Sequence, residues 1–452
     1  MKKDPSYPHY DCLIVGAGPA GLFAAYTLVE KGFKKVAVID KGKSVKERKP
    51  ENTMYGVGGA GLFSDGKLNL TPKRFKTDLT EFLPLSEAEK LIEKIEAVLT
   101  DFGANEPSYP EDYKKAGEFR RNAKRLGLDL LVFREKHLGS DRLPIYIGRF
   151  ENYLKKKGVT FILEEEAEKI LTDKGKVEGV ELAGGRKVFA SSLIVAPGRG
   201  GNTWLTKQLE TLGVKTEQKG IEIGVRVEVP EEVLGELTDI IYDPPIFLRT
   251  DSFDDLVEVF CTNPKGFVVQ ENYKDFACVN GHACKNNHSQ NSNFALLVKV
   301  NLTEPVTDTI SYGENICRLA MTIGGGKPLL QRFADFKRHR RSTWERLSKS
   351  YIEPTFKEVT PGDISMAFPH RIVVNLIEAL EKLNKLIPGV ASDSTLLYAP
   401  EAKFFSVRPA INKSMETKIS GLFVAGDGAG VSGNIVGAAA TGIIAANGVA
   451  KK

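Results

Sequence analysis

Cysteine is scarce here: five in 452 residues, Cys12, Cys261, Cys278, Cys284 and Cys317, with no even, close spacing among them. That argues against a disulfide framework. With no C-x-x-C or C-x4-C pair, it also argues against a dithiol that shuttles electrons. No run of ~18 apolar residues occurs, so no membrane-spanning helix is expected. The stretch from Met1 lacks the apolar core of a signal peptide, since the first hydrophobic run, from Cys12, feeds a glycine loop; a cytoplasmic location is expected. Charge of one sign is not in excess either: +5 over this length calls for neither nucleic acid nor membrane as a partner. Repeats and low-complexity segments are absent. What remains is 42% hydrophobic and 27% charged, the balance of a globular protein, long enough for two or three lobes.

Residues 11–41 read strand, glycine loop, helix, strand. Asp11 to Val15 is short and apolar, Gly16-Ala17-Gly18-Pro19-Ala20-Gly21 follows, Leu22 to Glu30 favours helix, and Val36 to Ile39 ends in Asp40. This is a βαβ unit of the usual length. Gly16 permits the tight turn, Gly18 lets backbone approach a pyrophosphate, and Gly21 lets helix and strand pack closely, with the helix N-terminus facing the phosphates. Asp40 sits where a carboxylate accepts from ribose hydroxyls, which fits FAD or NAD and not NADP.

Other stretches choose FAD. Val57-Gly58-Gly59-Ala60-Gly61-Leu62-Phe63-Ser64 is a second close-approach loop. Leu193 to Gly198 resembles the strand and turn that cover FAD in two-dinucleotide-binding flavoproteins, with Pro197 in place of the usual Thr. Gly421-Leu422-Phe423-Val424-Ala425-Gly426-Asp427-Gly428 resembles their C-terminal motif, in which the Asp holds the ribityl chain and the next helix, here from Asn434-Ile435, points at the flavin. A second strand, glycine loop, helix and acid unit is missing. Gly324-Gly325-Gly326-Lys327 before Pro328 has the wrong spacing and reads as a turn before a helix Leu329 to Thr343. No NAD(P)H domain is therefore built in, and NADH or NADPH is left as a transient external donor.

These motifs together resemble the uncharacterised FAD-dependent dehydrogenases of bacteria and archaea, within the glutathione-reductase-like flavoproteins. The resemblance is carried by Gly56 to Asn69, Ala196-Pro197-Gly198-Arg199-Gly200, Ile223 to Glu228, Val279-Asn280-Gly281, Tyr398-Ala399-Pro400-Glu401 and Gly426 to Gly430. It implies FAD and a split, two-lobed α/β architecture: a Rossmann-type FAD-binding domain with an inserted α+β substrate domain on an antiparallel sheet. It implies no substrate. Expected boundaries are 1–75, 146–205 and 396–452 for the FAD-binding domain, 76–145 for a mainly helical insertion with Ser86 as N-cap, and 206–395 for the substrate domain. Helices are expected over Glu314 to Lys349 and Ile372 to Leu386.

The expected cofactor contacts are Gly16, Gly18, Pro19, Ala20, Gly21, Asp40, Lys41, Gly58, Gly59, Leu62, Ser64, Ala167, Ala196, Gly198, Gly426, Asp427, Asn434 and Ile435, with FAD held non-covalently. Catalytic candidates are Lys67, against reduced flavin or an anionic substrate; Glu401, after Pro400; and His282 as a proton donor. Arg226 and Arg408 are candidate carboxylate clamps. Cys278, His282, Cys284 and His288 match no common zinc finger, so no metal is expected. Lys337-Arg338-His339-Arg340-Arg341 reads as a solvated helix face. The expected activity is hydride transfer at flavin N5 to or from a small organic molecule. A flavin-dependent tRNA-modifying protein and a flavin monooxygenase are the alternatives. Oligomeric state is left open.

Overall fold

The computed structural model describes residues 8–49, 54–217, 220–273, 275–300, 309–404 and 407–452. Residues 1–7, from which the leader reading starts, lie outside them. Two units emerge: one from Met1–Pro107, Glu135–Lys219 and Ser406–Lys452, the other from Ser108–Arg134 and Gly220–Phe405. Among the described residues no helix is long and apolar enough to cross a membrane.

The first unit is built on a seven-stranded sheet. Its parallel part sets His9–Val15 between Val36–Asp40 and Lys187–Val195, with Thr160–Leu163 beyond the former and Leu422–Val424 beside the latter. Residues 12–15, 36–39, 192–195 and 422–424 are buried without a break, as strands covered on both faces must be, whereas Thr160–Leu163 at the edge is half-buried to exposed. The hairpin Ala167–Asp173 and Lys176–Leu182 extends it antiparallel, turning at Lys174 and Gly175, both with positive φ. Register fixes the site. Val15 is level with Ile39 and with Val195, and Val195 is level with Val424. The chain thus leaves three neighbouring strands at one height, at Gly16, Ala196 and Ala425, beside Asp40. Ligands of doubly wound sheets bind outside such carboxyl ends.

Two helices pack over this sheet, Pro19–Glu30 and Ile435–Val449. A Cβ on Gly442 would stand 2.0 Å from the Ala20 carbonyl oxygen, so the small-residue run of the closing helix serves contact of helix backbone with helix backbone.

In the second unit an eight-stranded sheet carries Ile221–Pro230 at its centre, antiparallel to Asn291–Val300 and to Leu396–Phe404. Ile221, Ile223, Val225, Val227 and Val229 face a core shared with the helix His370–Leu383. The alternate positions are buried and charged: Glu222, Arg226 and Glu228. The sheet reaches past the expected 206–395, because Leu396–Phe404 pairs on both edges and Asp129–Leu130 pairs with Ile246–Arg249. The 76–145 segment is accordingly shared between the units, and Leu85–Asp101 starts after Pro84 with no side-chain cap from Ser86.

The helix expected over Glu314 to Lys349 is instead Thr309–Ile323, a strand Leu329–Arg332, and two short helices, Phe333–Lys337 and Trp344–Leu347. Leu329 and Leu330 are both fully buried against the sheet, and that pairing overrides their helix propensity.

Candidate FAD site

The opening turn separates the duties of its glycines. Gly16 has φ +103°, and a Cβ there would lie 2.0 Å from the Ala196 carbonyl oxygen; one on Gly21 would lie 1.9 Å from the Gly16 carbonyl oxygen. Both are glycine because protein backbone occupies the space. Gly18, the N-cap of the opening helix, meets nothing nearer than the Gly59 Cα at 3.8 Å. Packing does not demand glycine there, whereas close approach of a phosphate does. The second loop docks on the first through Gly58 N–H donating to the Ala17 carbonyl, 2.8 Å.

Asp40 pins these loops together. One carboxylate oxygen accepts from Ala17 N at 2.8 Å; the other accepts from Gly42 N at 2.9 Å and Gly56 N at 2.7 Å. The sequence reading missed Arg48, which is buried and donates through Nη1 to the Val57 and Gly59 carbonyls, both at 2.8 Å. Burial lowers its guanidinium to about 10, against the pull of Asp40. Lys41 is engaged with Glu166 at 2.9 Å and lies over the Tyr55 ring. Ser64 donates to the Gly61 carbonyl, while Leu62 and Ala167 are buried in the core.

At the other end of the chain, Asp427 stands between Lys76 Nζ at 3.2 Å and Arg199 Nε at 3.1 Å. Burial pushes its carboxyl up, and the two cations more than reverse this, leaving it below the ordinary carboxylate range. Asn202 donates to the Gly428 carbonyl at 2.7 Å. Asn434 caps the closing helix by accepting from Gly437 N at 2.7 Å, and its amide reaches back toward the Arg74 carbonyl and Thr77.

These features fit FAD. The open face of Gly18 suits the pyrophosphate, Lys76 and Arg199 add positive charge, and two helix N-termini belong to the same unit. Among the described residues, Asn69 Nδ2 and Ser432 Oγ are buried with no hydrogen-bond partner, as polar groups meant for a ligand would be. Asn69 ends the strand Lys67–Asn69, which packs on the closing helix. Across that strand pair, Lys67 is level with His137 and Asn69 with Glu135, all four at most 8% exposed. Lys67 pairs with Asp65 at 2.9 Å. His137 and Glu135 escaped the sequence reading because only the pairing of strands 66 or more residues apart brings them there.

In the second unit Arg226 is wholly buried and grips Glu401 with two nitrogens, Nε at 2.7 Å. Its remaining donors go to the Cys261 carbonyl, Asn293 and Asn280. Arg226 is thus no clamp for an outside carboxylate, and Glu401 is held as its partner. Burial raises the Glu401 carboxyl, with Arg226 opposing. Three stretches that carry the family resemblance, around Arg226, Asn280 and Glu401, meet in this network. His282 stacks on Phe267, and Cys278 faces Cys317 with sulfurs 3.6 Å apart. In the first unit Arg408 pairs with Glu81.

The family model described as "FAD binding domain" matches residues 11–292, and one described as "FAD-dependent protein, C-terminal domain-like" matches residues 248–404. An uncharacterized protein of Clostridium beijerinckii is 27% identical, over 97% of this chain and 80% of its own length. Among solved structures, a 3-ketosteroid-delta4-(5alpha)-dehydrogenase from Rhodococcus jostii is 13% identical, with TM-score 0.47 over 100% of this chain and 99% of its own. Glycine oxidase from Geobacillus kaustophilus is 13% identical, with TM-score 0.44 over 98% and 95%.

Proposed function

We propose, from the premise that this chain belongs to the FAD binding domain family, that it is an FAD-dependent dehydrogenase or reductase of a small organic molecule, related to the uncharacterised dehydrogenases its motifs resemble. The observation that carries this reading is the convergence, at one level of one sheet, of three turns from distant parts of the sequence on a glycine that packing leaves open.

When bound, FAD supplies two-electron chemistry, accepting or donating hydride at N5. The protein's part is to hold and tune. Gly18 and the opening helix receive the pyrophosphate through backbone N–H groups. Asp427, kept ionised by Lys76 and Arg199, accepts from ribityl hydroxyls. Asn69 and Ser432 satisfy ring or chain polar atoms. The start of the closing helix brings a partial positive charge. Lys67 neutralises negative charge that gathers on reduction, with Asp65 setting how much of that charge is left. No NAD(P)H domain is part of this reading; reducing equivalents come from a transiently bound nicotinamide or another external donor.

An anaerobic titration of the purified, flavin-loaded protein with NADH, then NADPH, then dithionite tests it. Bleaching of the oxidised-flavin absorption by a nicotinamide supports a reductase. Bleaching by dithionite alone favours a different donor. A protein that neither carries FAD nor takes it up overturns the proposal.

A further inference from the structure

The helix Tyr113–Arg125 carries six cations, Lys114, Lys115, Arg120, Arg121, Lys124 and Arg125, and one carboxylate, Glu118. All six are exposed. Among the described residues only Lys124 makes an ion pair, with Asp129 at 2.8 Å. In the run Lys337 to Arg341 most of the charge is compensated: Lys337 and Arg338 reach Asp393, and Arg340 holds Asp335. Uncompensated charge on a helix works against it. Arg120 with Lys124 and Arg121 with Arg125 are like charges at i,i+4, and Lys114 and Lys115 sit in the first turn, where the dipole disfavours them.

A second feature works against the helix as well. Gly117, mid-helix, weakens it, yet a Cβ there would meet only the end of Arg121 at 3.5 Å, so no packing demands glycine. The notch it leaves lies in an open groove of about 480 Å³ lined by Gly117, Arg120, Arg121, Lys124 and Arg125. Tyr113, 58% exposed, stands at i−4 from Gly117 on the same face. The opposite face is anchored by Ala116 and Ala123 in the core.

We propose that this face binds single-stranded RNA. A line of cations follows a phosphodiester backbone, the glycine notch lets phosphate come close, and an exposed aromatic ring at one end offers a stacking surface for a base. The face carries no bulky aliphatic side chain to enter a bilayer, which disfavours a lipid surface. The run Lys337 to Arg341, by contrast, has three of its cations already engaged with Asp393 and Asp335. This inference is independent of the flavin reading.

The test is fluorescence anisotropy of a labelled uridine oligonucleotide with the full-length, FAD-loaded protein at about 50 and 200 mM salt. Binding that weakens steeply with salt is expected. Arg120→Glu with Arg121→Glu should weaken it at least ~tenfold, and Tyr113→Ala by roughly tenfold. Lys337→Glu with Arg338→Glu should change it less than about twofold, because those cations already have partners. Unchanged thermal unfolding and flavin absorption establish that each variant is folded. Absence of binding at low salt, equal loss from both charge reversals, or binding to anionic vesicles in place of RNA would each overturn the proposal.

Discussion

Gly428 and Gly198 meet backbone to backbone: a Cβ on Gly428 would stand 2.2 Å from the Gly198 carbonyl oxygen. The two lie in the turns after Leu422–Val424 and Lys187–Val195, adjacent parallel strands in register. That contact leaves no room for a side chain and sets Asp427 beside Arg199. The geometry of the FAD site is therefore a property of the sheet, and substitutions should divide into those that break the scaffold and those that spoil only the cofactor's seat.

Gly18→Ala should spoil the seat. Apoprotein stability is expected to change by less than about 1 kcal/mol, while FAD affinity falls at least ~tenfold, since a methyl group enters space the protein leaves open. Gly21→Ala should break the scaffold, losing about 3 kcal/mol or more through its clash with Gly16. Thermal unfolding of apoproteins and flavin-fluorescence titration separate the two. Equal unfolding of both variants would contradict this division.

Asp427 gives a pH signature. Its folded-state carboxyl lies below the ordinary value, so it contributes stability above pH ~4 that is lost as pH falls through the folded pKa. Apoprotein carrying Asp427→Asn should be less stable than the parent at pH 6 by about 1–2 kcal/mol, with the gap closing toward pH 3. Urea unfolding at a series of pH values reads it; a constant gap would show that Lys76 and Arg199 do not hold this charge.

Glu401 separates structure from chemistry. Glu401→Gln leaves the wholly buried Arg226 without its counter-charge and should cost about 3–5 kcal/mol, much of it recovered when Arg226→Met is added. A Gln variant of parental stability with a collapsed rate of turnover would instead make Glu401 an acid–base group.

Lys67 and Asp65 should move the flavin in opposite directions. Lys67→Met removes positive charge and is expected to lower the flavin midpoint potential; Asp65→Asn frees that charge and is expected to raise it. Spectroelectrochemical titration decides. Unmoved potentials in both variants would confine the pair to a structural part.

The opening βαβ unit and the closing motif were legible because glycine spacing there reports backbone contact directly: Gly16, Gly21, Gly426 and Gly428 are all where another chain segment comes close. Asp40 was found, but its partner Gly56 N was not, since that contact depends on where the Gly56 loop folds back. Leu329–Arg332 was misread as helix because buried pairing, and not propensity, decides it. Arg226 and Glu401 were each noticed, yet nothing in their separation of 175 positions announces a pair. His137 and Asn69 lay in short strands whose partners only tertiary structure supplies.

The span between Lys76 and Asp427 is 351 positions, and the opening helix is covered by the closing one. On the ribosome, the first βαβ unit emerges long before the strand and helix that complete its cofactor seat. Until Leu422–Val449 arrives, the small-residue face of Pro19–Glu30 is bare and Asp427 has yet to be made. Flavin capture at this seat thus waits for the closing strand and helix.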